Sequence, residues 1–224
     1  MNSELKELYD IFQRSPHGRW IVDFGDYEKL HDLIQSRKPK QILEIGTGIG
    51  AATALLAKYS DAQIDTVEQF EKCITIAKDL IPLELQSRIN FYQSPCEVFQ
   101  MEGIPFVFLQ RHLTLPVGDY DLVVIDGPGP YKDETGYLVD LPGGDFISFI
   151  YTTKPGTIFY VDGRKAMVSL MDRFFSRYLA LVDNQAKHAL FMRTSAEVPE
   201  DRDKLELIDK REDWLRKRGY FDAV

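Results

Sequence analysis

Leu43-Glu44-Ile45-Gly46-Thr47-Gly48-Ile49-Gly50 is the stretch on which the reading of this chain turns. Gln41 to Ile45 has the branched apolar content of a strand, and three glycines at alternate positions then force a tight turn. Residues 51–58 continue as a helix whose Ala51, Ala52, Ala54 and Ala57 are small enough to let it approach a sheet. A glycine-rich turn between a strand and a helix lets a ligand meet the backbone with no Cβ in the way. It also leaves the first N–H groups of the helix facing that ligand. Glu68 closes the next strand-like run, Ile64-Asp65-Thr66-Val67, 22 residues after Gly46. A carboxylate there is placed to accept both hydroxyl hydrogens of a ribose.

The same alternation extends in both directions. Upstream, Leu5, Leu8, Tyr9 and Phe12 make one helical stripe, Ser15-Pro16-His17-Gly18 breaks it, and Tyr27, Leu30 and Ile34 mark a second helix that Lys38-Pro39-Lys40 stops. Downstream, residues 70–83 read as a helix and residues 89–92, 122–125 and 157–161 as strands. Met167, Leu170, Met171 and Phe174 give another helical stripe. Residues 179–182 and 189–192 read as a closing antiparallel hairpin, and 197–218 as a helix docked by one face. Strand and helix in this rhythm predict an α/β fold: a Rossmann-like doubly wound sheet of mostly parallel strands. The expected organisation is N-terminal helices on the substrate side (1–36), a ligand-binding domain (37–196) and a C-terminal helix belonging to that domain (197–224). Residues 103–118 read as an inserted hairpin or part of a cap. Residues 127–144, with five Gly and three Pro, read as a lid or binding loop.

At 224 residues the chain is long enough for a substantial core. Lys+Arg 27 against Asp+Glu 35 gives a net charge of −8, which argues against a protein that coats nucleic acid. Two cysteines, Cys73 and Cys96, cannot build a disulfide framework. No run of 18 apolar residues predicts a membrane span, and Met1-Asn2-Ser3-Glu4 opens no signal-peptide core. A cytoplasmic protein without membrane partners is the expectation. The stripe of residues 5–12 suits a second copy as readily as the core, so a homodimer stays open.

Two ligand classes suit a ribose on Glu68. A dinucleotide would use Gly46, Gly48 and Ala51 as its fingerprint and place a pyrophosphate at the helix N-terminus. S-adenosylmethionine carries an ammonium and a sulfonium instead. Glu44, two residues before the first glycine, favours the cationic ligand, since a carboxylate beside a pyrophosphate is unfavourable.

These motifs, with Ile125-Asp126-Gly127-Pro128 ending a later strand, resemble the class I S-adenosylmethionine-dependent methyltransferases over roughly residues 40–195. The resemblance implies seven strands with the last antiparallel. It implies that Glu44, Gly46, Thr47, Gly48 and Gly50 surround the methionine part, that Glu68 and Gln69 lie at the ribose, and that Ser94, Pro95 and Cys96 lie near the adenine, with Asp126 bordering the cofactor. Within that superfamily the chain looks most like the catechol-type O-methyltransferases that modify small molecules. In those, an Asp matching Asp126 and an Asp-Asn pair bind a divalent ion such as Mg²⁺. Here the pair is Asp162-Gly163, so the metal is in question. A family lysine that serves as base has its nearest counterpart in Lys132.

The expectation is therefore methyl transfer to a small-molecule acceptor, at oxygen before nitrogen, with Asp126 and Lys132 as catalytic candidates. A non-catalytic cofactor-binding scaffold and an NAD(P)-dependent oxidoreductase are the alternatives. Asp126 has a plainer reading as a turn cap, and Arg164 reads equally as a substrate anchor or as a surface cation. His112 and His188 read as structural, Cys73 as core. Trp20 and Tyr131 are candidate walls of the acceptor pocket.

Overall fold

The computed structural model describes residues 3–101, 104–108, 120–129, 131–132, 138–139, 141–185 and 187–198. Nearly all of the expected helix over 197–218, His112, most of the 103–118 stretch and part of the 127–144 stretch lie outside these residues, as do the side chains of Trp20, Tyr131 and Lys132.

Along the chain, β1 (Gln41–Ile45), β2 (Gln63–Glu68) and β3 (Ile89–Gln93) come first. A separate antiparallel hairpin follows, β4 (Glu97–Met101) with β5 (Ile104–Phe108), then β6 (Leu122–Ile125). A two-residue ladder of β7 (Tyr131–Lys132) and β8 (Leu138–Val139) precedes β9 (Ile158–Asp162), β10 (Leu179–Asn184) and β11 (His188–Arg193). Seven of these strands form one sheet in the order β10-β11-β9-β6-β1-β2-β3. All run parallel except β11, which is antiparallel to both of its neighbours. The sheet has the seven strands, and the antiparallel last strand, that the sequence leads one to expect.

Both faces of the sheet are covered, which is why its central strands are apolar throughout. Side chains alternate across a strand. Leu43, Ile45, Val123, Ile125, Phe159 and Val161 face one core with α6 (Asp145–Thr152) and α7 (Lys165–Phe174). Ile42, Leu122, Val124, Ile158 and Tyr160 face the other, with α1 (Ser3–Gln13), α2 (Phe24–Arg37), α3 (Ala51–Tyr59) and part of α4 (Glu71–Leu80). An isolated helix of 11 residues such as α1 would be marginal in water. Its Leu5, Leu8, Tyr9 and Phe12 are buried in the chain's own core, and each such burial contributes roughly 1.5–3 kcal/mol.

Three local differences from the sequence reading have physical causes. The helix expected over 70–83 stops at Leu80 and resumes as the short α5 (Leu83–Gln86). Ile81 precedes Pro82 and takes an extended ψ of 127°, because a proline disfavours the helical conformation before it. The inserted hairpin starts earlier than expected: 104–108 pairs back onto 97–101. A helix also follows the glycine-rich stretch at once, burying Phe146, Ile147, Phe149 and Ile150. No helix among the described residues is long and apolar enough to cross a membrane.

Candidate functional site

β1 lies between β2, which leads on to β3 on one side, and β6, which leads on to β9 on the other. In an open α/β sheet such a reversal leaves a crevice at the carboxyl ends of the strands. The glycine turn, Glu68, Asp126 and Asp162 all emerge along that edge.

Gly46 takes φ +97° and donates its N–H to Val67 O at 2.9 Å. A Cβ on Gly46 would stand 2.5 Å from the Gly127 nitrogen, and one on Gly127 would stand 2.6 Å from Gly46 Cα. The two turns therefore touch backbone to backbone. Gly50, at φ +91°, serves a different contact: a Cβ there would lie 2.8 Å from Ala77 Cβ of α4.

Glu44 points to the α3 face and is wholly buried. Its Oε2 accepts from Thr53 Oγ1 and Thr66 Oγ1, both at 2.6 Å, while Oε1 has no hydrogen-bond partner among the described residues. Burial drives its pKa up to about 7, against the pull of the two hydroxyls, and the nearby Glu68 adds to the rise. Thr47 Oγ1 joins the same group at 2.6 Å from Thr66 Oγ1.

Glu68 is buried with its carboxylate spanning the gap between the first two strands. Oε2 accepts from Gly48 N–H at 2.9 Å; Oε1 accepts from Gln69 N–H at 2.8 Å and Phe70 N–H at 3.0 Å. Burial raises its pKa, and the three backbone donors oppose the rise. Each carboxylate oxygen has two acceptor directions, so Oε2 keeps one unfilled by these bonds. Beside it, Cys96 Sγ donates to Gln69 Oε1, and burial pushes the Cys96 thiol up to about 12. Ser94 is buried with its N–H on Glu68 O at 2.9 Å, and Pro95 is exposed. The structure thus brings together Glu44, the three glycines, Glu68, Gln69, Ser94 and Cys96 along one edge.

Asp126 and Asp162 stand at the ends of adjacent strands β6 and β9, each one residue past the paired Ile125 and Val161. Both are driven above the ordinary carboxylate range: burial is the largest cause for each, and Arg164 opposes it. The Arg164 guanidinium is anchored to the same turn, donating to Asp126 O at 2.5 Å and Pro128 O at 2.6 Å.

A divalent ion at this corner would need hard oxygen donors. Two carboxyls are present, Gly163 offers no side chain, and the Arg164 cation is anchored to the same turn. Among the described residues no group of three or more His, Cys, Asp and Glu side chains is arranged to hold a metal ion. These residues do not fit a bound divalent metal.

The opening of α2 covers the neighbouring part of the edge. Asp23 caps that helix, accepting from Gly25 N–H at 3.0 Å and Asp26 N–H at 3.2 Å, and pairs with Lys187. Asp26 and His188, both buried, meet at 3.2 Å, and the Tyr160 ring stacks on His188 at 5.5 Å. Cavities of about 320 and 310 Å³ flank the start of α7, and both are lined by Gly163, Arg164 and Lys165. Sequence reasoning did not find Gly127, the Arg164 anchor or Asp26. Each matters through a neighbour that is remote along the chain, so no local pattern marks it.

No family model matches the chain, and no curated protein matches it in sequence. Solved structures do share its fold. An O-methyltransferase from Bacillus cereus in complex with S-adenosylhomocysteine is 18% identical, with 86% of this chain and 90% of that one covered and a TM-score of 0.54. An S-adenosylhomocysteine-bound methyltransferase from Podospora anserina is 15% identical over 87% and 89%, with a TM-score of 0.58. The O-methyltransferase TomG from Streptomyces achromogenes, involved in tomaymycin synthesis and complexed with S-adenosylmethionine, is 16% identical over 87% and 91%, with a TM-score of 0.57. The chain shares the fold of these solved methyltransferases.

Proposed function

We propose that the chain is an S-adenosylmethionine-dependent methyltransferase acting on an oxygen of a small-molecule acceptor. The observation that carries this reading is the pair of carboxyls flanking the glycine turn: Glu44 buried beneath it and Glu68 bonded across to Gly48. A crevice with two acidic groups and bare backbone suits a ligand that is a nucleoside at one end and a cation at the other. It does not suit a pyrophosphate.

When bound, S-adenosylmethionine supplies a methyl group made electrophilic by its sulfonium. Glu68 would take a ribose hydroxyl on the direction Oε2 keeps, Gly46, Thr47, Gly48 and Gly50 would border the methionine part, and Gln69, Ser94, Pro95 and Cys96 would border the adenine. Glu44 places an acidic group under the turn, and its Oε1, without a hydrogen-bond partner among the described residues, would be the atom that faces the ligand's ammonium, directly or through water. Asp126 accepts the proton that the acceptor hydroxyl releases as its oxygen takes the methyl. Lys132 is the second candidate for that proton on sequence grounds. Holding two reactants in line is the main catalytic effect such a scaffold supplies.

Titration calorimetry with S-adenosylmethionine and S-adenosylhomocysteine tests the reading. Binding of both, weakened about tenfold or more in Glu68→Ala, supports it, since a charged hydrogen bond contributes roughly 1.5–3 kcal/mol. Binding of NADH and of neither nucleoside would move the assignment to an oxidoreductase. Transfer of radiolabelled methyl to a pool of hydroxylated small molecules separates an enzyme from a scaffold.

A further inference from the structure

We infer that the corner formed by Asp126, Asp162 and Arg164 is built around a fixed guanidinium in place of a divalent ion, so that the methyl transfer proposed above, on which this inference rests, needs no metal. Three observations carry it. The first is the position after Asp162. Gly163 has φ +53°, a conformation that asparagine also tolerates, and a Cβ there would meet nothing closer than Lys187 O at 3.9 Å. Space and backbone would admit an amide donor, and the chain has none.

The second is the placement of Arg164. Two of its nitrogens are held on the carbonyls of Asp126 and Pro128, on either side of Gly127. Its Nε is buried without a hydrogen-bond partner among the described residues. A planar guanidinium bound at two points is a rigid, permanent cation. Any ion approaching the carboxyls of Asp126 and Asp162 meets that charge in a partly buried setting, where repulsion is poorly screened. The third is that, among the described residues, Asp126 and Asp162 belong to no group of three or more His, Cys, Asp and Glu side chains arranged to hold a metal ion.

Arg164 is thereby a positioning residue. It fixes the 126–128 turn, and with it the carboxyl of Asp126, and its charge offsets part of the negative charge that a departing acceptor proton leaves behind.

The test is binding of Mn²⁺ to the protein alone, followed by loss of the free-ion electron paramagnetic resonance signal, without nucleoside or acceptor. No saturable binding by the wild type up to millimolar Mn²⁺ is expected. Saturable binding that disappears in Asp162→Asn would overturn the inference. A folded Gly163→Asn/Arg164→Ala variant, which adds the amide and removes the cation, is expected to gain a Mn²⁺ site. A folded variant that gains none would overturn the assignment of the exclusion to Arg164. Because the readout needs no cofactor, its failure is distinct from failure of the methyltransferase reading, which nucleoside calorimetry decides. If transfer is detected, its rate is expected to be unchanged by EDTA.

Discussion

Gly46 and Gly127 meet backbone to backbone across the seam between β1 and β6, closely enough that a methyl group on either would overlap the other. The two turns that frame the crevice are thus one packed unit, and its tolerance for added atoms is low. Gly46 also needs a left-handed φ, whereas at Gly127 only space is at issue.

Gly127→Ala is accordingly expected to destabilise the fold by roughly 1–3 kcal/mol, the usual effect of overpacking, and Gly46→Ala by more. For a chain of this size each kcal/mol lowers Tm by about 2–4 °C. Calorimetric melting of both variants and of the pair checks this. The double variant should lose less than the sum, because both substitutions spoil one contact.

Glu44 sets a pH dependence. Its folded-state pKa of about 7 stands above the ordinary 4.5, so between those values the folded chain holds a proton that the unfolded chain has released. Stability from this group is full below pH 4.5 and declines as pH rises to about 7, by roughly 3 kcal/mol in all. Glu44→Gln keeps the shape without the ionisation. Urea melts from pH 4 to 8 should show the variant gaining on the wild type as pH rises; a constant difference would remove the argument.

Asp65 accepts from Tyr120 Oη at 2.6 Å, Asn90 Nδ2 at 2.9 Å and Tyr92 Oη at 3.4 Å while itself buried. Asp65→Ala strands those donors and is expected to cost about 3 kcal/mol or more, while Tyr120→Phe, which removes one donor, should cost about 1 kcal/mol. Denaturant midpoints separate the two outcomes.

The Asp26–His188 pair holds the start of α2 against β11. His188→Ala leaves a carboxyl buried without that partner, and a loss of roughly 3 kcal/mol is expected. Amide exchange should quicken first in residues 24–30. Uniform acceleration through the sheet instead would mean that this pair stabilises the whole fold and not the docking of one helix.

What the sequence discloses here is what is local. β1, the glycine turn and Glu68 lie within 28 residues, and period and spacing suffice to read them. Leu122 to Ile125 could be recognised as a doubly covered strand for the same reason. Ile81 before Pro82 carried the signal for the helix break, but the apolar pattern on both sides overrode it. The stripe of Phe146, Ile147, Phe149 and Ile150 was hidden by Gly143 and Gly144, whose presence extended the apparent loop. Gly127 becomes significant only once β6 is known to lie beside β1, and Arg164 only once α7 is known to start above the 126–128 turn. His188 finds its partner 162 residues away, and no periodicity reports that.

Tyr27, Leu30 and Ile34 of the second helix share one apolar layer with Ile42, Leu122 and Val124 of the sheet. A fragment expressed from residue 37 onward would keep α3 over that side of the sheet but uncover the part that α1 and α2 pack against. Such a truncation should collect in the insoluble fraction, and a protease nick between residues 14 and 23 should leave both pieces bound until denaturant is added.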